Sequence, residues 1–141
     1  MAPTPLLVIG RTMQIGTVVT ELLKPEYEVI HFMLGADAAK KQMPPLLRGE
    51  SVTSDTELGT KDYSRPPVAV ILGAGYSDDD VADIMKTAGG IRPMPWLQCD
   101  TTKPTPPLGP EYGKTLVMRV KELLGKLKAE GKMDEEAVRW Y

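Results

Sequence analysis

Pro5-Leu-Leu-Val-Ile-Gly-Arg-Thr-Met-Gln-Ile-Gly-Thr-Val-Val-Thr-Glu-Leu-Leu-Lys-Pro25 decides the fold. Its first five residues form an apolar run ended by Gly10, the pattern of a buried strand. Ile15, Val18, Val19, Leu22 and Leu23 then recur at the spacing of one helix face, and Pro25 ends the pattern. A strand that runs through a glycine turn into a helix is the opening of an α/β unit.

The rest of the chain repeats that alternation. Tyr27 to Leu34 is rich in β-branched and aromatic residues and reads as a second strand. Ala36 to Gln42 reads as a short helix, which Pro44 and Pro45 are expected to stop or distort. The polar stretch from Arg48 to Pro67 is weakly patterned, with Glu50 to Ser54 as a candidate edge strand. Val68-Ala-Val-Ile-Leu72 is the plainest buried strand. Ser77 then caps a helix with Asp78, Asp79 and Asp80 in its first turn. That helix carries Val81, Ile84, Met85 and Ala88 on one face and closes at Gly89-Gly90. Met94 to Cys99 reads as the last strand. After a proline-rich connection, Leu116, Val117, Val120, Leu123, Leu124 and Leu127 form the stripe of a final helix. Met133 to Tyr141 is expected to add one more helical turn.

Continuous apolar strands alternating with helices imply a parallel sheet covered on both faces. The expectation is one domain over residues 1–141, a three-layer α/β sandwich with a four- to five-stranded, mostly parallel sheet. Strands are expected near 5–9, 28–33, 68–72 and 95–99, in the order 2-1-3-4, with 51–54 as an edge beside the second. The chain's 141 residues, 42% hydrophobic and 26% charged, suit that size and a globular core. A net charge of −2 speaks against nucleic acid as a partner. The longest apolar run, Val68 to Gly75, is too short to cross a membrane, and the first residues lack a signal peptide's charged start. With one cysteine and no asparagine, a cytoplasmic setting is expected.

Gly10-Arg-Thr-Met-Gln-Ile-Gly16 occupies the position at which a glycine-rich turn brings backbone N–H groups to a pyrophosphate. Its spacing resembles the G-x-x-G-x-x-G turn of NmrA-like proteins and extended short-chain dehydrogenases, which are Rossmann-fold families. Gly49 to Asp55 is similar to that family's third strand, whose closing aspartate lies near the adenine. The run from Ile84 to Trp96 resembles the passage before the family's active site. The resemblance implies a Rossmann-like fold and NAD or NADP contacts from Gly10, Arg11, Thr12, Met13, Gln14, Ile15, Gly16 and Asp55. Gly73 and Gly75, expected at the same sheet edge, join that candidate set. The departures are specific. Met13 stands at the central glycine, and the second strand ends near Met33 without a ribose-binding acid or a phosphate-binding arginine. Tyr63, Tyr76 and Tyr112 each lack the lysine four residues on that would make a dehydrogenase pair. The implied protein has a degenerate turn, weak or absent dinucleotide binding, and a non-catalytic role in nucleotide sensing or protein interaction. Gly10 and Gly16 also fit a tight strand-to-helix turn with no ligand at all.

Gly109 to Thr115 has one residue too few between its glycines for a P-loop, and no strand before it. Asp78 to Asp80 point around a helix start rather than at a metal, so no metal site is expected. His31, the sole histidine, lies inside a strand and reads as a partly buried sheet residue with a local hydrogen bond. Cys99, Asp100 and Tyr76 share the strand-end edge where open sheets bind ligands, and they mark the alternative, a small enzyme. A third reading is a structural partner whose old pocket is closed. The tail ending in Trp140-Tyr141 points to a homodimer, because that apolar surface needs cover.

Overall fold

The computed structural model describes residues 2–141. Nine elements follow in chain order: β1 (Thr4–Gly10), α1 (Met13–Leu22), β2 (Tyr27–Leu34), α2 (Ala36–Leu47), β3 (Val70–Leu72), α3 (Asp78–Ala88), β4 (Trp96–Gln98), α4 (Pro110–Ala129) and β5 (Val138–Trp140). The sheet has five strands in the order β2-β1-β3-β4-β5, and every pairing is parallel. The expected α/β sandwich is therefore the fold, with the first four strands in the expected order.

Alternation along β1 divides the core. Leu7 and Ile9 face one side, with Met43, Leu46, Leu47, Val81 and Ile84 from α2 and α3. Leu6 and Val8 face the other, with Leu116, Val117, Val120 and Leu124 from α4, and Val19 and Leu22 of α1 beside them. Each sheet face thus has two helices, and the four-residue spacing of α4's apolar positions is what keeps its stripe on the sheet. The register of β2 slips by one residue between Leu6 and Leu7 of β1, so that Leu6 pairs with Val29 and Leu7 with His31. Ile30 is the extra residue, and the slip places Val29 and Phe32 together on the α1/α4 side. A strict two-residue alternation would have separated them.

Three expectations need correcting. Residues 51–54 form no strand; the segment is an irregular strap, and its later residues supply the edge. There the Thr60 and Lys61 N–H groups donate to the Val29 and Ile30 carbonyls, each at 2.9 Å. A chain rich in single polar residues satisfies its backbone more cheaply through its own Ser and Thr hydroxyls than in a ladder. Indeed Ser54, Thr56 and Thr60 side chains all accept from nearby N–H groups. Secondly, α2 runs through Pro44 and Pro45 to Leu47. The prolines give up two helix hydrogen bonds. Burial of Met43, Leu46 and Leu47 offsets that loss. Thirdly, the tail is not a helical turn. It pairs beside β4 as β5, and Tyr141, 3% exposed, docks between the sheet and α4. Val-Arg-Trp is better strand than helix material, and β4 offers it an open edge. Among the described residues, no helix is long and apolar enough to cross a membrane.

Candidate functional site

The ends of β1 and β3 mark the point where the strand order reverses, the usual crevice for ligands in open α/β sheets. Here the crevice is occupied by the protein's own side chains. Thr12 caps α1 by accepting from the Ile15 N–H at 3.2 Å, which fixes the turn. Arg11, just before it, reaches across to the loop after β3. Its guanidinium donates twice to the Gly75 carbonyl, at 3.0 and 2.6 Å, and approaches Asp80 at 3.5 Å. It also lies 4.5 Å from the centre of the Tyr76 ring, a cation–π contact. Gly75 makes this possible twice over. Its φ is +100°, and a Cβ there would stand 3.1 Å from Arg11 Nε. Tyr76 completes the closure. It is 5% exposed, and its hydroxyl donates to the Gly10 carbonyl at 2.9 Å. Burial pushes its pKa up, so the hydroxyl keeps the proton it donates.

The two turn glycines have a different neighbour from the one expected of a pyrophosphate turn. A Cβ on either Gly10 or Gly16 would fall 2.6 Å from the ring of Phe32. That ring is fully buried and is brought to this face by the β2 register slip. Gly10 and Gly16 are thus small because Phe32 packs under the turn.

Between α1, α4 and the sheet lies an apolar cavity of about 180 Å³. Its buried walls are Val8, Gly10, Phe32 and Ile71 from the sheet, Gly16 from α1, Leu116, Val117 and Val120 from α4, and Tyr141. Ile15, Val19, Gly73, Ala74 and Tyr112 fill in around them, and the exposed Arg11, Thr12 and Leu108 form its mouth. Of the expected dinucleotide residues, Gly10, Arg11, Thr12, Ile15, Gly16 and Gly73 line this cavity. Met13 and Gln14 are exposed outside it. Gly75 belongs to the Arg11 closure instead. Asp55 sits exposed in the strap and acts electrostatically on His31. Phe32, Leu108, Tyr112 and Tyr141 were not among the expected site residues. Two small residues facing one strand are the signal that called for a large ring, but only the register slip says which ring.

The three groups of the enzyme alternative are each bound elsewhere. Cys99 is buried beside the Tyr141 hydroxyl, and burial raises its thiol pKa, which leaves it a poor nucleophile. Asp100 accepts from the Thr102 hydroxyl at 2.6 Å and its N–H at 3.0 Å, which lowers its pKa. Tyr76 is committed to Gly10. His31 is fully buried, with Tyr63 and Gln42 each 2.7 Å from its ring nitrogens. Gln42 Oε1 accepts from Nε2–H, which leaves Nδ1 to accept from the Tyr63 hydroxyl, and burial lowers the imidazole pKa. It lies in the sheet as expected, but it is fully rather than partly buried and its partners are 11 and 32 residues away, so that it pins the strap. Among the described residues, no cluster of acids, histidine or cysteine is arranged to hold a metal.

No family model matches the chain, and no solved structure matches it. It is similar to Kojic acid related protein 6 of Aspergillus oryzae (strain ATCC 42149 / RIB 40), with 40% identity over 144 residues. The match covers 99% of this chain and 87% of that protein. Similarity of that extent spans the turn, the cavity walls and the tail strand together, and the chain belongs to the family of Kojic acid related protein 6.

Proposed function

We propose that this chain is a non-catalytic Rossmann-like module for nucleotide sensing or protein interaction, with a dinucleotide turn that has been closed. The observation that carries the reading is the Arg11 bridge, which fills the switch-point crevice with a guanidinium and the Tyr76 ring. A dinucleotide entering there has to displace two hydrogen bonds and a cation–π contact before it gains any of its own. It then meets a turn with Met13 at the central position and no ribose-binding acid near Met33. Weak or absent NAD and NADP binding follows. The likeness of the turn to NmrA-like proteins supports descent from a dinucleotide-binding ancestor. A cytoplasmic, homodimeric protein is part of the same reading; half-exposed Trp140 on the edge strand is the apolar surface that supports the dimer.

A thermal-shift panel tests the proposal, since a ligand bound only by the folded chain raises its melting temperature. The panel holds NAD, NADP, ATP, an acyl carrier and kojic acid, the compound to which the relative's name relates it. Dinucleotides are expected to leave the melting temperature unchanged. A stabilisation by NAD that grows with its concentration contradicts the closed crevice, and turnover of any panel compound contradicts the non-catalytic role.

A further inference from the structure

We propose that the cavity between α1 and α4 is a binding site for a single-ring aromatic molecule that carries one hydroxyl group. The inference rests on the reading of the chain as a binding module, and it names the ligand class. Size comes first. A cavity of about 150 Å³ lined by aliphatic and aromatic side chains stays dry and accepts benzene in a well-studied engineered protein. The space here is about 180 Å³, enough for one ring with a small substituent and too little for a nucleotide.

The walls set the chemistry. Phe32, Tyr112 and Tyr141 bring three rings to a space otherwise bounded by aliphatic side chains, which suits edge and offset contacts with an aromatic guest. A charged guest is disfavoured. The interior has no ionised side chain, and Arg11 at the mouth already serves Gly75 and Asp80. The Tyr141 hydroxyl is used as well, donating to the Leu72 carbonyl. The Tyr112 hydroxyl is different. It makes no hydrogen bond among the described residues although its side chain is half-buried and lines the cavity. A guest that carries one hydroxyl on its ring gives that group a partner, while the rest of the lining is apolar. Leu108 lines the mouth and is 78% exposed, so the space opens to solvent beside it.

Protein-observed NMR titrations with p-cresol, toluene and benzoate test the proposal. The full chain is expected to bind p-cresol in the submillimolar range, toluene roughly tenfold more weakly, and benzoate not at all, a factor of ten being about one hydrogen bond. Tyr112→Phe should reduce p-cresol to the affinity of toluene and leave toluene unchanged. Ile15→Phe and Ala74→Leu each add bulk to the lining, and either folded variant should lose both guests. Absence of p-cresol binding to the wild-type chain at millimolar concentration overturns the site. So does binding that survives in a folded cavity-filling variant. NAD titrated in parallel keeps the two readings apart: its binding contradicts the closed crevice, whatever p-cresol does.

Discussion

The Phe32 ring stands 2.6 Å from the point where a Cβ on Gly16 would lie. This gives the turn glycine a packing role that needs no phosphate. Gly16→Ala must push a fully buried ring out of place, and overpacking of this kind costs about 1–3 kcal/mol. Trimming the ring with Phe32→Leu should relieve the clash, so the double variant should be more stable than the sum of the single effects implies. Urea unfolding of the four proteins measures this. Strict additivity would show that the glycine is small for some other reason.

The tail forms part of the sheet, so its loss is a folding defect. Tyr141 has its N–H on the Gln98 carbonyl, its carbonyl on the Asp100 N–H and its ring in the α4 core. Tyr141→Ala should cost about 3–5 kcal/mol, as other buried aromatic truncations do. Tyr141→Phe, which removes only the hydroxyl from Leu72, should cost about 1 kcal/mol. Thermal or urea unfolding reads both, and an unchanged midpoint for Tyr141→Ala contradicts β5.

His31 makes stability depend on pH in a defined direction. Burial lowers its pKa below the usual 6.5, so the unfolded chain takes up a proton more readily than the folded one. Stability is therefore flat above about pH 6.5 and declines as pH falls below it, by at most about 1.4 kcal/mol per unit for one proton. A protonated imidazole also cannot accept from the Tyr63 hydroxyl, so the strap should loosen over the same range. Urea unfolding between pH 7.5 and 5.5 should show the decline in the wild-type chain and its loss in His31→Gln. An equal decline in the variant assigns the effect to other groups.

Self-association now rests on less surface than the tail's composition suggests, because Tyr141 is spent inside. Trp140 remains, 51% exposed on the outer strand. Light scattering should give a dimer for the wild-type chain and a monomer for Trp140→Ser. A wild-type monomer at tens of micromolar contradicts the dimer.

The layers and strand order were legible because they depend on periodicity, which survives local irregularity. Ser77 capping α3 and the α4 stripe were legible for the same reason: each is a short pattern with one physical meaning. What sequence could not supply depends on neighbours distant in the chain. The path of residues 51–61 follows from hydroxyl partners and from the exposed edge of β2. The end of α2 follows from how well Met43 and Leu46 pack, which outweighs two prolines. The site shows this most sharply. The pattern placed Gly10, Arg11 and Gly75 at one sheet edge, where they lie, but not the contacts they make there. That Arg11 reaches across 64 residues to Gly75, and that Phe32 fills the space beneath the turn, is set by the β2 slip and the φ of Gly75. No local pattern encodes either.

The proposed closure of the dinucleotide crevice by Arg11 and Tyr76 is tested by isothermal titration calorimetry of the wild-type chain with NAD and with NADP. Neither should show saturable binding at concentrations up to about 100 micromolar, a dissociation constant of that size corresponding to roughly −5.5 kcal/mol. Saturable binding of NAD or NADP with low-micromolar affinity would contradict it.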